Sequence, residues 1–164
     1  MKTKPSPPVI VLMIALLVSG LTSCSKPSGG DKTIGVSEND ADMNAAIAKA
    51  RSTLPQFWQV FEHPDHGESD FCLKVKITDK NEVEHFWAAD IERTNNIIKG
   101  TISNDPEFVH NVKNGDRITI PEADISDWLY MKDKKMVGNY TLRAMFKEMP
   151  ADEVEKYKKM MVEP

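Results

Sequence analysis

The chain has 164 residues, of which 28% are charged and 40% hydrophobic, and a formal net charge of −4. That length suits one domain with its own core once a terminal segment is set aside. The acidic balance excludes nucleic acid as the expected partner, since phosphate binding needs clustered Lys and Arg, and argues against electrostatic adhesion to anionic lipid.

At the N-terminus, Lys2 and Lys4 precede an apolar run from Val9 to Val18, and Leu21-Thr22-Ser23-Cys24 follows. A basic start, a short apolar run and small residues before a cut site form an export signal. The run is about half of the roughly 20 apolar residues that a spanning helix needs. Leu21 to Cys24 resembles a bacterial lipobox. The resemblance implies cleavage after Ser23, lipidation of Cys24 and anchoring by two or three acyl chains, where one alone binds only marginally. Ser25, in place of an aspartate, implies an outer membrane facing the periplasm in a host that has one. Residues 1–23 are then a lipoprotein signal peptide, and losing Lys2 and Lys4 takes the formal charge from −4 to −6. Acylated Cys24 leaves Cys72, in the apolar run Phe71-Cys72-Leu73, as a small buried thiol. Residues 24–39 are rich in Ser, Gly, Lys and Pro and read as a flexible tether.

The folded domain is expected over residues 40–164. Met43, Ile47, Ala50 and Leu54 recur at helical spacing behind a capping Asn39 or Asp40. Pro55 is expected to end this helix or to start a short second one carrying Phe57, Trp58, Val60 and Phe61. His63 to Gly67 reads as a loop. Phe71, Leu73, Val75 and Ile77 alternate with polar neighbours, which predicts a strand. A turn at residues 79–82 leads to a hairpin partner from Val83 to Ile91, and Ile97 to Ile102 is a third strand. Asn104-Asp105-Pro106 looks like a helix start and predicts a helix to about Val112. Asn114-Gly115 turns the chain into strands Arg117–Ile120 and Ile125–Met131. Residues 133–135 read as a turn, Tyr140 to Phe146 fits either a strand or a helix, and Pro150 to Met161 is a terminal helix. The pattern predicts an α+β fold: one domain with a mainly antiparallel twisted sheet, an N-terminal helix and short flanking helices.

Several short motifs occur in a fixed order. They are Glu82-x-Glu84-His85-x-Trp87, Gly100-x-Ile102-x-Asn104-x-Pro106, Lys113-x-Gly115-Asp116-x-Ile118, Ile125-Ser126-Asp127-Trp128 and Gly138-x-Tyr140-Thr141-x-Arg143. Together they resemble the DUF2314 (YegJ-like) group of small bacterial proteins over roughly Ala41 to Met149. That resemblance implies a fold without a settled activity. A glycine pair often precedes the Tyr/Phe-Thr in that group; Gly138-Asn139 stands there in this chain, and Asn tolerates the positive φ that the turn requires.

Candidate ligand- or partner-binding residues come from these motifs: Glu84, Trp87, Asn104, Asp127, Trp128, Thr141 and Arg143. Two carboxylates do acid–base work when their environments separate their pKa values. Arg143 fits a carboxylate clamp, or a pair with Asp127 or Glu84 that pins the sheet. The two tryptophans line a groove or fill the core. His63 and His66, beside Glu68 and Asp70, are weak metal candidates without a fixed third ligand, and a solvated loop is the simpler account. No Gly-rich phosphate loop and no Gly-x-Ser-x-Gly setting occurs, so no cofactor is expected. The leading expectation is a non-enzymatic, lipid-anchored envelope module that binds an envelope protein or other component. An immunity-like protein with a basic partner is one version. The alternative is a small envelope hydrolase using Glu84 or Asp127 with His85, with metal at the His63/His66 loop in one version.

Overall fold

Asp40 caps the first helix. Its carboxylate accepts the Met43 amide hydrogen at 2.8 Å, and α1 runs from Ala41 to Glu62. The coordinates are a computed structural model that describes residues 9–14, 32–37, 40–65 and 67–162, with side chains from residue 40 onward. Pro55 does not end α1 as expected. Its ring lies on the exposed side, while Leu54, Phe57 and Trp58 pack inward. Burying those three side chains contributes about 1.5–3 kcal/mol each, which together outweighs the roughly 3 kcal/mol cost of an interior proline.

Among the described residues, eight strands form one sheet. They are β1 (Val9–Ile14), β2 (Lys32–Ser37), β3 (Glu68–Asp79), β4 (Glu82–Thr94), β5 (Ile97–Ile102), β6 (Arg117–Ile120), β7 (Ile125–Lys132) and β8 (Lys135–Gly138). The order is β2-β1-β4-β3-β7-β8, with β5 on β4 and β6 on β5. Every pairing is antiparallel except the short one between β1 and β4 at Glu84 and His85. β1 lies within the stretch read as an export signal, and β2 within the stretch read as a tether. Among the described residues no helix is long and apolar enough to cross a membrane. The expected α+β class is what the fold shows, with a largely antiparallel open sheet, an N-terminal helix and short helices.

Adjacent residues of a strand point to opposite faces, and both faces of this sheet are covered. On one, Leu54, Phe57 and Trp58 of α1 meet Leu73, Val75, Ala88, Ile125 and Trp128. On the other, the C-terminal segment packs Leu142, Met145, Tyr157 and Met161 against Cys72, Trp87 and Leu129. That segment comprises α2 (Tyr140–Ala144), a 3-10 turn at Met145–Glu148 and α3 (Ala151–Met160).

Two further expectations change. Residues 106–112 form no helix but a loop with bends at Glu107, Phe108 and Asn111. The turn expected at residues 133–135 is tighter: Asp133 and Lys134 take positive φ, and Lys135 already begins β8. The glycine-pair position behaves as expected. Asn139 is left-handed, with φ of 53°, and Gly138 has φ of 85°. A Cβ on Gly138 would lie 2.4 Å from the Trp128 carbonyl oxygen, so only glycine fits.

Candidate functional site

Asp127 sits on β7 with none of its surface exposed. Its Oδ1 accepts the amide hydrogens of Trp128 at 2.8 Å and Tyr140 at 3.2 Å. Its Oδ2 accepts the amide and the hydroxyl of Thr141, both at 2.7 Å. The carboxylate thus staples the first turn of α2, whose amides have no helical partners of their own, onto the sheet. The buried Lys74 ammonium of β3 donates to the Thr141 hydroxyl at 3.0 Å and lies 4.7 Å from the centre of the Trp87 ring. Burial lowers the Lys74 pKa to about 8 against the pull of Asp127. It raises that of Asp127 against Lys74 and the hydrogen bonds from Thr141 and Trp128. Thr141 receives from the amine and donates its single hydroxyl hydrogen to the acid.

Glu84, on β4, makes a second staple. It is 1% exposed. It accepts the amide hydrogens of Glu107 at 2.9 Å, Phe108 at 2.8 Å and Val109 at 2.7 Å. Three consecutive amides converging on one carboxylate form an anion nest. The Val109 amide is bound by Glu84 and the His110 amide by Asp79 at 2.9 Å, so the donors that would continue a helix from Pro106 are taken elsewhere. Asn104 belongs to the same arrangement, since its Oδ1 accepts the Trp87 amide hydrogen at 2.9 Å.

Trp128 is buried, donates its indole N–H to the Ala50 carbonyl at 2.9 Å, and stacks on Tyr130 with ring centres 6.0 Å apart. Trp87 is buried beneath Lys74, so neither tryptophan lines an open groove. Arg143 pairs with neither expected carboxylate; its Nη2 donates to the Val162 carbonyl, tying α2 to the end of the chain. Its Nε is buried without a hydrogen-bond partner among the described residues. His63 is an exposed residue at the end of α1, and His66 lies outside the described residues. Among the described residues no group of three His, Cys, Asp or Glu is arranged to hold a metal ion.

His85 is buried, and its Nδ1 lies 2.7 Å from the Ser126 hydroxyl, which also donates to the Lys74 carbonyl at 3.2 Å. Burial, with the nearby charges of Lys74, Lys76 and Arg51, lowers its pKa to about 3. Glu84, Asp127 and His85 therefore serve three separate sets of bonds. Sequence reasoning missed Lys74 and Ser126. Lys74 follows the polar beat of a half-exposed strand, and nothing local marks that face as covered. Cys72 is buried in the same face and is disulfide-bonded, which corrects the lone thiol expected there. Cys24 lies outside the described residues.

The model of a family described as "Uncharacterized protein conserved in bacteria (DUF2314)" matches residues 40–162. The chain belongs to the DUF2314 family. It is 33% identical to the uncharacterized protein YegJ of Escherichia coli strain K12 over 153 residues, which cover 93% of this chain and 97% of that protein. That match is longer than the DUF2314 domain and so reaches into the N-terminal segment. The chain is also 32% identical over 126 residues to a putative ankyrin repeat protein of Neisseria meningitidis serogroup B. That match covers 72% of this chain and 50% of the relative. No solved structure matches the chain. The two staples use Glu84, Asn104, Asp127 and Thr141, the motif residues through which the chain resembles DUF2314.

Proposed function

We propose that this DUF2314 protein is a non-enzymatic binding module of the cell envelope, held at a membrane by a lipid on Cys24 and recognising a protein or another envelope component. One observation carries the non-enzymatic part. The motif carboxylates of Glu84 and Asp127 spend their oxygens on backbone amides, the Thr141 hydroxyl is used twice, and all three residues are buried. A general base needs reach to a substrate proton, and a nucleophile needs access. The signal-like start, with Cys24 after Leu21-Thr22-Ser23, supports the envelope address.

Fractionation of cells expressing wild-type and Cys24→Ser protein tests the anchor: the wild type sediments with membranes and the variant is released, still folded. Equal membrane retention of both would remove the lipid from the account. The binding role is tested by affinity capture from envelope extract with residues 33–164, where failure to recover any reproducible component at low salt counts against it.

A further inference from the structure

Part of one edge of β4 depends on a strand that the lipoprotein reading removes. On one side β3 pairs β4 from Glu82 to Ala88. On the other, β5 pairs it only from Ala88 onward. Trp87 is closed on that side by the chain leaving β5: its amide donates to Asn104 Oδ1 at 2.9 Å, and its carbonyl accepts the Ser103 amide hydrogen at 3.0 Å. Alternate residues of an antiparallel strand turn their backbone groups the same way, so those of His85 and Val83 face outward as well. Among the described residues, the strand that meets this stretch is β1, parallel to β4 at Glu84 and His85. β1 lies within residues 1–23, the stretch read as a cleaved signal.

An open row of amides and carbonyls is a template for another strand, and the chain holds one in place. β2 pairs antiparallel with β1, with Gly35 opposite Val11 and Ile34 opposite Leu12. Val11 and Leu12 are also the residues that pair with Glu84 and His85. With β1 gone, an inward slip of one strand spacing, about 4.8 Å, sets Gly35 beside Glu84 and Ile34 beside His85, with no change of direction. Two residues separate Ser37 from Asp40, and three Cα steps span up to about 11 Å, so the link to α1 permits the slip. Thr33, Ile34 and Val36 are β-branched, which suits a strand.

We infer that in the mature chain β2 takes the place of β1 on the edge of β4, with Ile34 hydrogen-bonded to His85 and Val36 to Val83. The inference rests on the lipoprotein reading for the loss of β1 and adds a consequence to it. Docking of residues 32–37 shortens the free leash from residues 24–39 to residues 24–31. At about 3.3 Å per residue its reach falls from about 50 Å to about 26 Å, which holds the domain close to the membrane. It also closes this edge to strands of other molecules.

The test uses the mature form, residues 24–164, with Cys24→Ser, so that failure of the lipid anchor, read by fractionation, stays separate. In NMR spectra the Hα protons of Gly35 and Glu84 should be in contact, because an antiparallel pair without mutual hydrogen bonds brings its Cα atoms to about 4.5 Å. Ile34→Pro removes a donor that the pairing needs. The His85 amide should therefore exchange at least about tenfold faster in that variant. The Trp87 amide, held by Asn104, should stay protected in both proteins and reports that the domain is folded. Exchange of residues 33–36 at the rate of an unfolded chain would overturn the proposal. So would equal His85 exchange with and without Ile34→Pro, or protection that grows with concentration and so marks a second copy on the edge.

Discussion

His85 gives the most sharply bounded prediction. The folded protein holds it at a pKa of about 3, against 6.5 for an unburied histidine. Between those values the unfolded chain binds a proton that the folded chain refuses. Stability is therefore at its full value above pH 6.5 and falls as the pH drops through 6.5 toward 3. The loss from this one group is about 2 kcal/mol at pH 5 and about 3 kcal/mol at pH 4. Asn places an amide group near the position of Nδ1, can still bond the Ser126 hydroxyl, and does not titrate. Urea unfolding of wild type and His85→Asn at pH 7 and pH 5 isolates the effect, because acid effects on the carboxylates are common to both. The wild type should lose about 2 kcal/mol more than the variant between the two pH values. Equal losses in the two proteins would refute the buried neutral imidazole.

Other substitutions probe the staples. Thr141→Val removes the hydroxyl that Lys74 and Asp127 share and should cost about 2–4 kcal/mol by denaturant unfolding, since both buried charges lose a partner. Glu84→Gln should cost about 2 kcal/mol and speed hydrogen exchange at Glu107, Phe108 and Val109, while the α2 amides keep their protection. Gly138→Ala must place a Cβ 2.4 Å from the Trp128 carbonyl oxygen at positive φ and should cost about 3 kcal/mol, read as a lower melting temperature.

Much of the sheet was legible because period-two alternation is a local signal: Leu73, Val75 and Ile77 mark one face of β3 without knowledge of what covers it. The cap at Asp40 and the left-handed Asn139 are equally local. What escaped the sequence reading depends on distant partners. Pro55 looks like a helix end until Phe57 and Trp58 are seen packing on the sheet beyond it. Asn104-Asp105-Pro106 looks like a helix start until Glu84 takes the amides that a helix would use. Lys74 looks solvated until the C-terminal segment closes over it and brings Thr141 to its amine. Glu84, Asn104, Asp127 and Thr141, singled out from the motifs, are tied into these two staples, where a buried carboxylate that receives three or four hydrogen bonds organises backbone. Arg143 is the exception, having found the Val162 carbonyl where a carboxylate was expected.

Native-state hydrogen exchange tests most directly the claim that the motif carboxylates hold the fold. The amides of Glu107, Phe108, Val109, Tyr140 and Thr141 all point at Glu84 or Asp127. They should exchange slowly at pH 7, with protection approaching that of global unfolding, even though residues 107 and 108 lie in an exposed loop. Fast exchange at these five positions would mean that Glu84 and Asp127 are free for other chemistry, and would contradict the account.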